Sequence, residues 1–148
     1  MDGAGLPLVV LLTPGQAGDS PMFEPLMAHL RVGRGVGRPR TRPEAVLGDK
    51  AYSSRAIRAH LRSRRITAVI AEPDDQKRHR QRRGRTGGRP PVFDAQRYKN
   101  RNVIERSFNN TKQWRGLATR YDRLALLYRG AIVLRAITLW LKRLGDAP

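Results

Sequence analysis

The sequence predicts an α/β domain in which short apolar strands alternate with helices. Apolar or β-branched runs at residues 5–12 and 66–71 are typical of buried strands, and residues 21–31 between them have helical apolar spacing. With a further strand near residue 45, the order strand, helix, strand, helix, strand favours right-handed crossovers. At 148 residues and 39% hydrophobic content, the chain is the size of one domain with a modest core.

Three predicted strands are bounded by turn residues. GLPLVVLL at residues 5–12 is followed by TPGQAGDSP, which predicts a loop. EAVLGDKAY at residues 44–52 predicts a strand whose apolar part runs into Gly48 and Asp49, and ITAVIA at residues 66–71 predicts the third. Asp49 is thus placed at the carboxyl end of a strand, where the functional groups of open α/β sheets usually lie.

Helices are predicted between these strands and in the C-terminal part of the chain. The helix at residues 21–31 ends where GRGVGRPRTRP begins, and Ser53 or Ser54 suits the N-cap of a helix that continues to about residue 63. Residues 72–93 contain seven Lys or Arg together with Gly and Pro, which predicts a mobile basic loop. Residues 94–144 predict C-terminal helices, the first of which begins at Asp94 or Ala95.

The charge of the chain indicates a polyanionic partner. Thirty Lys and Arg against 12 Asp and Glu give a formal net charge of +18, which favours nucleic acid ahead of an anionic membrane. Because most of the basic residues are arginine, the alternative is that they only solvate the surface and do not indicate a polyanionic partner. The absence of cysteine excludes disulfides, zinc fingers and thiol catalysis.

The longest apolar segment is residues 124–144. It is long enough to span a bilayer, but Arg129 and Arg135 would be costly in lipid. We therefore expect a buried or docking helix, with Trp140 in the core, and a cytoplasmic protein without a membrane partner.

A stripe of four residues is the strongest local signal for function. On one helix at about 100° per residue, Tyr98, Arg101, Glu105 and Lys112 fall within roughly 60° of each other. A stripe of this width can face a single ligand. Carboxylates such as Asp49 and Glu105 are the hard oxygen ligands that Mg²⁺ prefers. The alternative is that both are ordinary solvated charges on the surface.

Residues around this stripe have several interpretations. Ile104 and Phe108 are expected to pack the helix onto the sheet. Trp114 could stack on an unpaired base, but core packing is the favoured interpretation. Arg106 and Arg115 are candidate phosphate contacts.

The same four residues are similar to the Y-R-E-K signature of bacterial insertion-sequence DDE transposases. GDKAYSS at residues 48–54 resembles the block that carries the second catalytic Asp of that family, and DGAGLPLVVLLTPGQAGDS resembles the segment before it in the insertion-sequence-five type. The resemblance extends from Asp2 to about Leu141.

This resemblance implies an RNase H-like fold and Mg²⁺-dependent or Mn²⁺-dependent cutting and joining of double-stranded DNA at element ends and target. Asp49 would be the second metal-binding Asp and Glu105 the third carboxylate, and both would be catalytic. Tyr98, Arg101 and Lys112 would contact DNA phosphates near the scissile bond. The protein would then act at the nucleoid.

The first carboxylate of such a site has no convincing counterpart. Four acidic residues precede Asp49, namely Asp2, Asp19, Glu24 and Glu44. Asp2 is similar to a turn residue of the family, and the others fall in loop or helix contexts. We therefore expect an N-terminally truncated RNase H-like domain over residues 1–148 that lacks the first strand and most of the second.

The truncation has consequences for activity. The chain alone is expected to be inactive and poorly soluble, and to require an upstream transposase portion or a homo-oligomer. A pseudogene fragment and the downstream frame of a split gene are both compatible with this sequence. A non-catalytic DNA-binding remnant is the alternative function.

Overall fold

The computed structural model describes residues 1–14, 16–119 and 124–145. Residues 120–123, inside the predicted C-terminal helical region, lie outside the described part. The strands are β1 (Ala45–Gly48) and β2 (Thr67–Ile70). The α-helices are α1 (Phe23–His29), α2 (Arg55–Ser63), α3 (Asp74–Arg82), α4 (Ala95–Lys99), α5 (Asn102–Lys112), α6 (Arg115–Ala118) and α7 (Ala125–Leu144). The described residues therefore form a mixed α/β structure.

The two strands form a parallel sheet and are connected by a single crossover helix. β1 pairs with β2 in the register Ala45 with Thr67 through Gly48 with Ile70, and α2 connects them. Ser54 caps α2 as expected, because its side chain accepts a hydrogen bond from the Ile57 N–H at 3.1 Å. The predicted second and third strands and the helix between them are confirmed.

The predicted strand at residues 5–12 is wrong for the described part of the chain. The segment belongs to no sheet there, and Val32 and Arg40 form an isolated antiparallel bridge elsewhere. Its side chains pack instead: Leu8 and Val9 lie against the core, and the Trp140 indole N–H donates to the Pro7 carbonyl at 2.9 Å. An apolar run of this kind becomes a strand only when a neighbouring strand pairs with its backbone.

The hydrophobic core lies between α1, α2 and the sheet. Phe23 and Met27 of α1 meet Ile57 and Leu61 of α2, and Ile70 of β2 completes the contact. Residues four apart on each helix share one face, so the apolar spacing seen in the sequence brings both pairs inward. This core positions the carboxyl end of β1 relative to α2.

The prediction of a mobile basic loop at residues 72–93 is also wrong, because this segment contains a helix. α3 covers Asp74–Arg82, and a 3₁₀ turn follows at Gly84–Gly87. Asp74 and Asp75 lie in the first turn of α3, and basic residues lie in its last turn. Charges in this arrangement interact favourably with the helix dipole. Arg80 also forms an ion pair with Glu72. Local electrostatics therefore order a segment that has no buried residue in its helix.

The long helix α7 is only partly covered by the described residues. Arg135 is buried and donates to the Asn110 carbonyl at 3.0 Å, and Trp140 is half-buried. Several leucines of α7 are exposed, as are Val133 and Ile137. Among the described residues, no helix is long and apolar enough to cross a membrane.

Candidate functional site

Asp49 lies immediately after β1, at the carboxyl end of the sheet. Its Oδ1 accepts a hydrogen bond from the Ala51 N–H at 2.9 Å and caps the 3₁₀ helix Lys50–Tyr52. Within the described residues, Asp49 has no ion pair, and its side chain is exposed. The cap fixes the carboxylate and leaves its second oxygen open to a ligand.

Tyr52 lies near a second carboxylate, that of Asp19, as well as near Asp49. Its ring packs against Phe23 with the ring centroids 6.0 Å apart. Burial raises the pKa of Tyr52 above its ordinary value, and the negative charges of Asp19 and Asp49 raise the pKa further. Asp19 and Asp49 therefore act on the same hydroxyl group, although they are 30 positions apart in the sequence.

The raised pKa of Tyr52 predicts a loss of stability at alkaline pH. The folded protein holds the phenol proton more tightly than the unfolded chain, so this contribution is complete below the unfolded pKa of about 10 and is lost as pH rises through the folded pKa. Urea unfolding between about pH 8 and 11 should show the decline. Tyr52→Phe should reduce the decline, whereas the matched control Tyr98→Phe should retain it; an equal decline in both variants would contradict the assignment.

Tyr98, Arg101 and Glu105 form a continuous line of contacts. The Arg101 guanidinium carbon lies 5.7 Å from the centroid of the Tyr98 ring, and Arg101 Nη2 donates to Glu105 Oε1 at 2.9 Å. The predicted single helix is divided here, since α4 ends at Lys99 and α5 begins at Asn102. Arg101 keeps right-handed helical angles and its N–H bonds the Tyr98 carbonyl at 2.9 Å, so the three side chains still share a face.

The other predicted contact residues are more dispersed. Lys112 ends α5, about 10 Å along the axis from Glu105 by helix geometry, and is exposed. Arg106 and Arg115 are also exposed. The core interpretation of Trp114 is wrong, because 37% of the residue is exposed and the Arg135 guanidinium carbon lies 5.2 Å from its ring centroid.

The packing face of α5 differs from the predicted one. Phe108 is 55% exposed, so the expectation that it packs on the sheet is wrong. Ser107 is buried instead, and its hydroxyl donates to the Gly5 carbonyl at 3.0 Å. Gly5 has φ +86°, and a Cβ there would meet the Val103 methyl at 3.1 Å. This contact is carried by a polar serine and a glycine, which apolar periodicity does not detect.

The four acidic residues before Asp49 have separate local partners. Asp2 Oδ1 accepts from the Ala4 and Leu6 N–H groups, both at 2.9 Å, which makes it a turn residue as expected. Glu44 pairs with Arg97 at 2.7 Å, and Glu24 lies 3.9 Å from His60. Asp19 lies near Tyr52.

The carboxylates suit a hard divalent cation in kind but not in number. Asp49 and Glu105 offer the oxygen ligands that Mg²⁺ binds. In the part of the chain that the structure describes, however, no three acidic or histidine side chains come together in a way that could hold a metal ion. Glu105 is also neutralised by Arg101. The described residues therefore form no three-ligand metal site.

Comparison with known proteins places these features in a family. The family model described as "Transposase DDE domain" matches residues 1–141. The chain belongs to this family. This DDE transposase chain is 31% identical over 143 residues to the "Putative transposase for insertion sequence element IS6501" of Brucella ovis, a match that covers 96% of this chain and 94% of the relative. No solved structure is significantly similar to it.

The family match confirms the resemblance to insertion-sequence DDE transposases. DDE transposase domains are RNase H-like, and the parallel β1–α2–β2 unit is compatible with such a fold. Transposases act on DNA, which agrees with the net charge of +18. The assignment to the insertion-sequence-five type and to the Y-R-E-K signature stays a prediction.

Proposed function

We propose that this DDE transposase chain carries the Asp49 and Glu105 part of a catalytic site for metal-dependent phosphodiester hydrolysis and strand transfer at element ends. Two observations in the family-matched region support the proposal: an open carboxylate follows β1, and Tyr98, Arg101 and Glu105 form a line of contacts. The partner is double-stranded DNA of the nucleoid.

Arg101 has two alternative partners in this proposal. In the free chain its guanidinium neutralises Glu105. A DNA phosphate competes with Glu105 for this guanidinium, because guanidinium binds phosphate and carboxylate oxygens in the same bidentate fashion. When Arg101 turns to phosphate, the Glu105 carboxylate becomes free to accept a cation. Tyr98 keeps Arg101 near this position through the ring face.

Mg²⁺ or Mn²⁺, when bound, would supply charge stabilisation for the attacking and leaving oxygens. Asp49 and Glu105 would hold such an ion, and a third carboxylate would come from residues outside the described part or from another polypeptide. A homo-oligomer or a separate transposase portion could provide it. The chain alone is therefore proposed to be inactive until that carboxylate is supplied.

A non-catalytic DNA-binding remnant is the second candidate function. It is favoured by the missing third ligand in the described residues and by the large positive charge. Arg106, Lys112 and Arg115 would then contribute only phosphate contacts, and the partly exposed Trp114 would be available to stack on a base.

Metal titration separates the two functions. We expect Mn²⁺ to bind weakly in calorimetry to the purified chain with a short DNA duplex present, after the heat of Mn²⁺ binding to the duplex alone is subtracted. Asp49→Ala or Glu105→Ala should weaken this binding about tenfold, about 1.4 kcal/mol. Asp75→Ala, which removes an exposed carboxylate of α3, is the matched control. If both site variants bind Mn²⁺ like the parent chain, the metal role is rejected and the DNA-binding remnant stands.

A cleavage assay tests whether the site is complete. The chain is incubated with Mg²⁺ and a duplex bearing the inverted repeats that flank its gene. We expect DNA binding without cleavage by the chain alone. Cleavage that Asp49→Ala abolishes would show that the chain already contains a complete site and would overturn the proposed inactivity.

A further inference from the structure

A cleft of about 400 Å³ lies between α2 and α3, and none of its lining residues belongs to the Tyr98–Arg101–Glu105 line. Its polar lining consists of Ser53, Arg55, Arg58, Arg62 and Gln76, and Pro91 forms part of the wall. No acidic side chain is among the described lining residues. A concave surface with three guanidinium groups and no carboxylate is suited to an anion.

The three arginines lie on one face of α2. Arg55 and Arg58 are three residues apart, and Arg62 follows four residues later, so their side chains project in one direction. The rise from Arg55 to Arg62 is about 10.5 Å, at about 1.5 Å per residue. This length corresponds to about three phosphates of one strand of duplex DNA, which are spaced about 3.4 Å along the axis.

Arg58 is held in place by the surrounding structure. Its Nη2 donates to the Ser53 hydroxyl and to the Ile70 carbonyl, both at 2.9 Å, and Ser53 in turn donates to Gln76 Oε1 at 3.1 Å. Ser53 is buried. Burial lowers the pKa of Arg58 from its ordinary value, although Glu72 opposes this shift. The cost of partly desolvating this cation would be offset by a bound anion.

The charges of the cleft remain available to a ligand. Glu72, the acidic residue that acts on Arg58, is already paired with Arg80. Arg55 and Arg62 are exposed and form no ion pair with the described part of the chain. Free guanidinium groups beside an anchored one give a preformed phosphate site.

The cleft also adjoins the carboxyl edge of the sheet, where Asp49 lies. Ser53 follows Asp49 by four residues at the carboxyl end of β1, and the Ile70 carbonyl that binds Arg58 ends β2. A DNA backbone that reaches Asp49 would therefore pass close to the arginine face of α2.

We propose that the α2–α3 cleft is a second phosphate-binding site that holds the backbone of double-stranded DNA about three phosphates long beside the Asp49 site. The inference rests on the proposed function, because it assumes that DNA is the substrate. Its ligand is the phosphodiester backbone, so binding at this cleft is independent of base sequence.

The salt dependence of DNA affinity tests the site. The full chain and the Arg55→Gln/Arg62→Gln double variant are titrated with a fluorescein-labelled duplex at several salt concentrations. Each lost phosphate contact lowers the slope of log K against log salt by about 0.9, so the double variant should lose about 1.8. Arg34→Gln/Arg38→Gln, which removes two exposed charges from the segment before β1, is the matched control and should keep the parent slope.

Each outcome is decisive. A slope that falls only in the α2 variant, with an unchanged circular dichroism spectrum, supports the cleft. An unchanged slope in that variant, or an equal fall in the control, overturns the cleft while the proposed function stands. If the parent chain does not bind the duplex at all, both the cleft and the proposed function are rejected.

Discussion

Replacing Leu61 with alanine is expected to lower the free energy of unfolding by about 2–5 kcal/mol, the cost of a cavity at a fully buried leucine. Leu61 is 0% exposed and lies between α1 and β2 in the centre of the core. Typical domains have only about 5–15 kcal/mol of stability. Because the described sheet has only two strands, we expect urea unfolding of this variant to shift strongly or to lose its cooperativity.

Leu126→Ala is the matched control for this change. Leu126 is 76% exposed on α7, so the same deletion should alter stability by no more than about 0.5 kcal/mol. If Leu61→Ala were as mild as Leu126→Ala, the core between α1, α2 and the sheet would not hold the chain together. The comparison measures packing directly, since both variants remove the same atoms.

Introducing two lysines on α7, Leu134→Lys/Ile137→Lys, is expected to raise the concentration at which the chain self-associates at least tenfold, about 1.4 kcal/mol. α7 carries exposed apolar residues three and four positions apart, a spacing that places them on one side of the helix. They are Leu127, Leu134, Ile137, Leu141 and Leu144. A contiguous exposed apolar face of this kind promotes aggregation. Light scattering across a concentration series measures the effect.

The control for charge is Val36→Lys/Val92→Lys. Both valines are highly exposed in the described residues, at 92% and 83%, and neither belongs to α7. This variant adds the same two charges and should aggregate like the parent chain. Equal improvement in both variants would show that net charge, and not the α7 face, controls solubility.

The parts of the fold that the sequence predicted correctly are those that depend on near neighbours. β1, α2 and β2 follow from a short apolar run, an N-cap serine and a β-branched run, and each appears where it was expected. The Tyr98–Arg101–Glu105 line was also predictable, because side chains three and four residues apart meet wherever the backbone keeps helical angles, as it does at Arg101 between α4 and α5. The exposed position of Asp49 follows from the end of β1.

The predictions that failed depend on partners distant in the sequence, or on competing local effects. The segment at residues 5–12 lacks a strand neighbour among the described residues and packs against the core and Trp140. α3 forms because its acidic first turn and the Glu72–Arg80 pair outweigh the low hydrophobicity of the segment. Phe108 and Trp114 were expected in the interior, but Ser107 makes the contact of α5 with Gly5 of the N-terminal segment.

The sequence by itself determined the charge, the β–α–β order and the Tyr98–Arg101–Glu105 contact line, since composition and local periodicity do not depend on how distant segments meet. The tertiary structure decided which apolar runs pair, which face of α5 is buried and where Arg55, Arg58 and Arg62 form a cleft. These features depend on contacts between residues far apart in the chain. Backbone pairing and burial are properties of such contacts, and no local pattern encodes them.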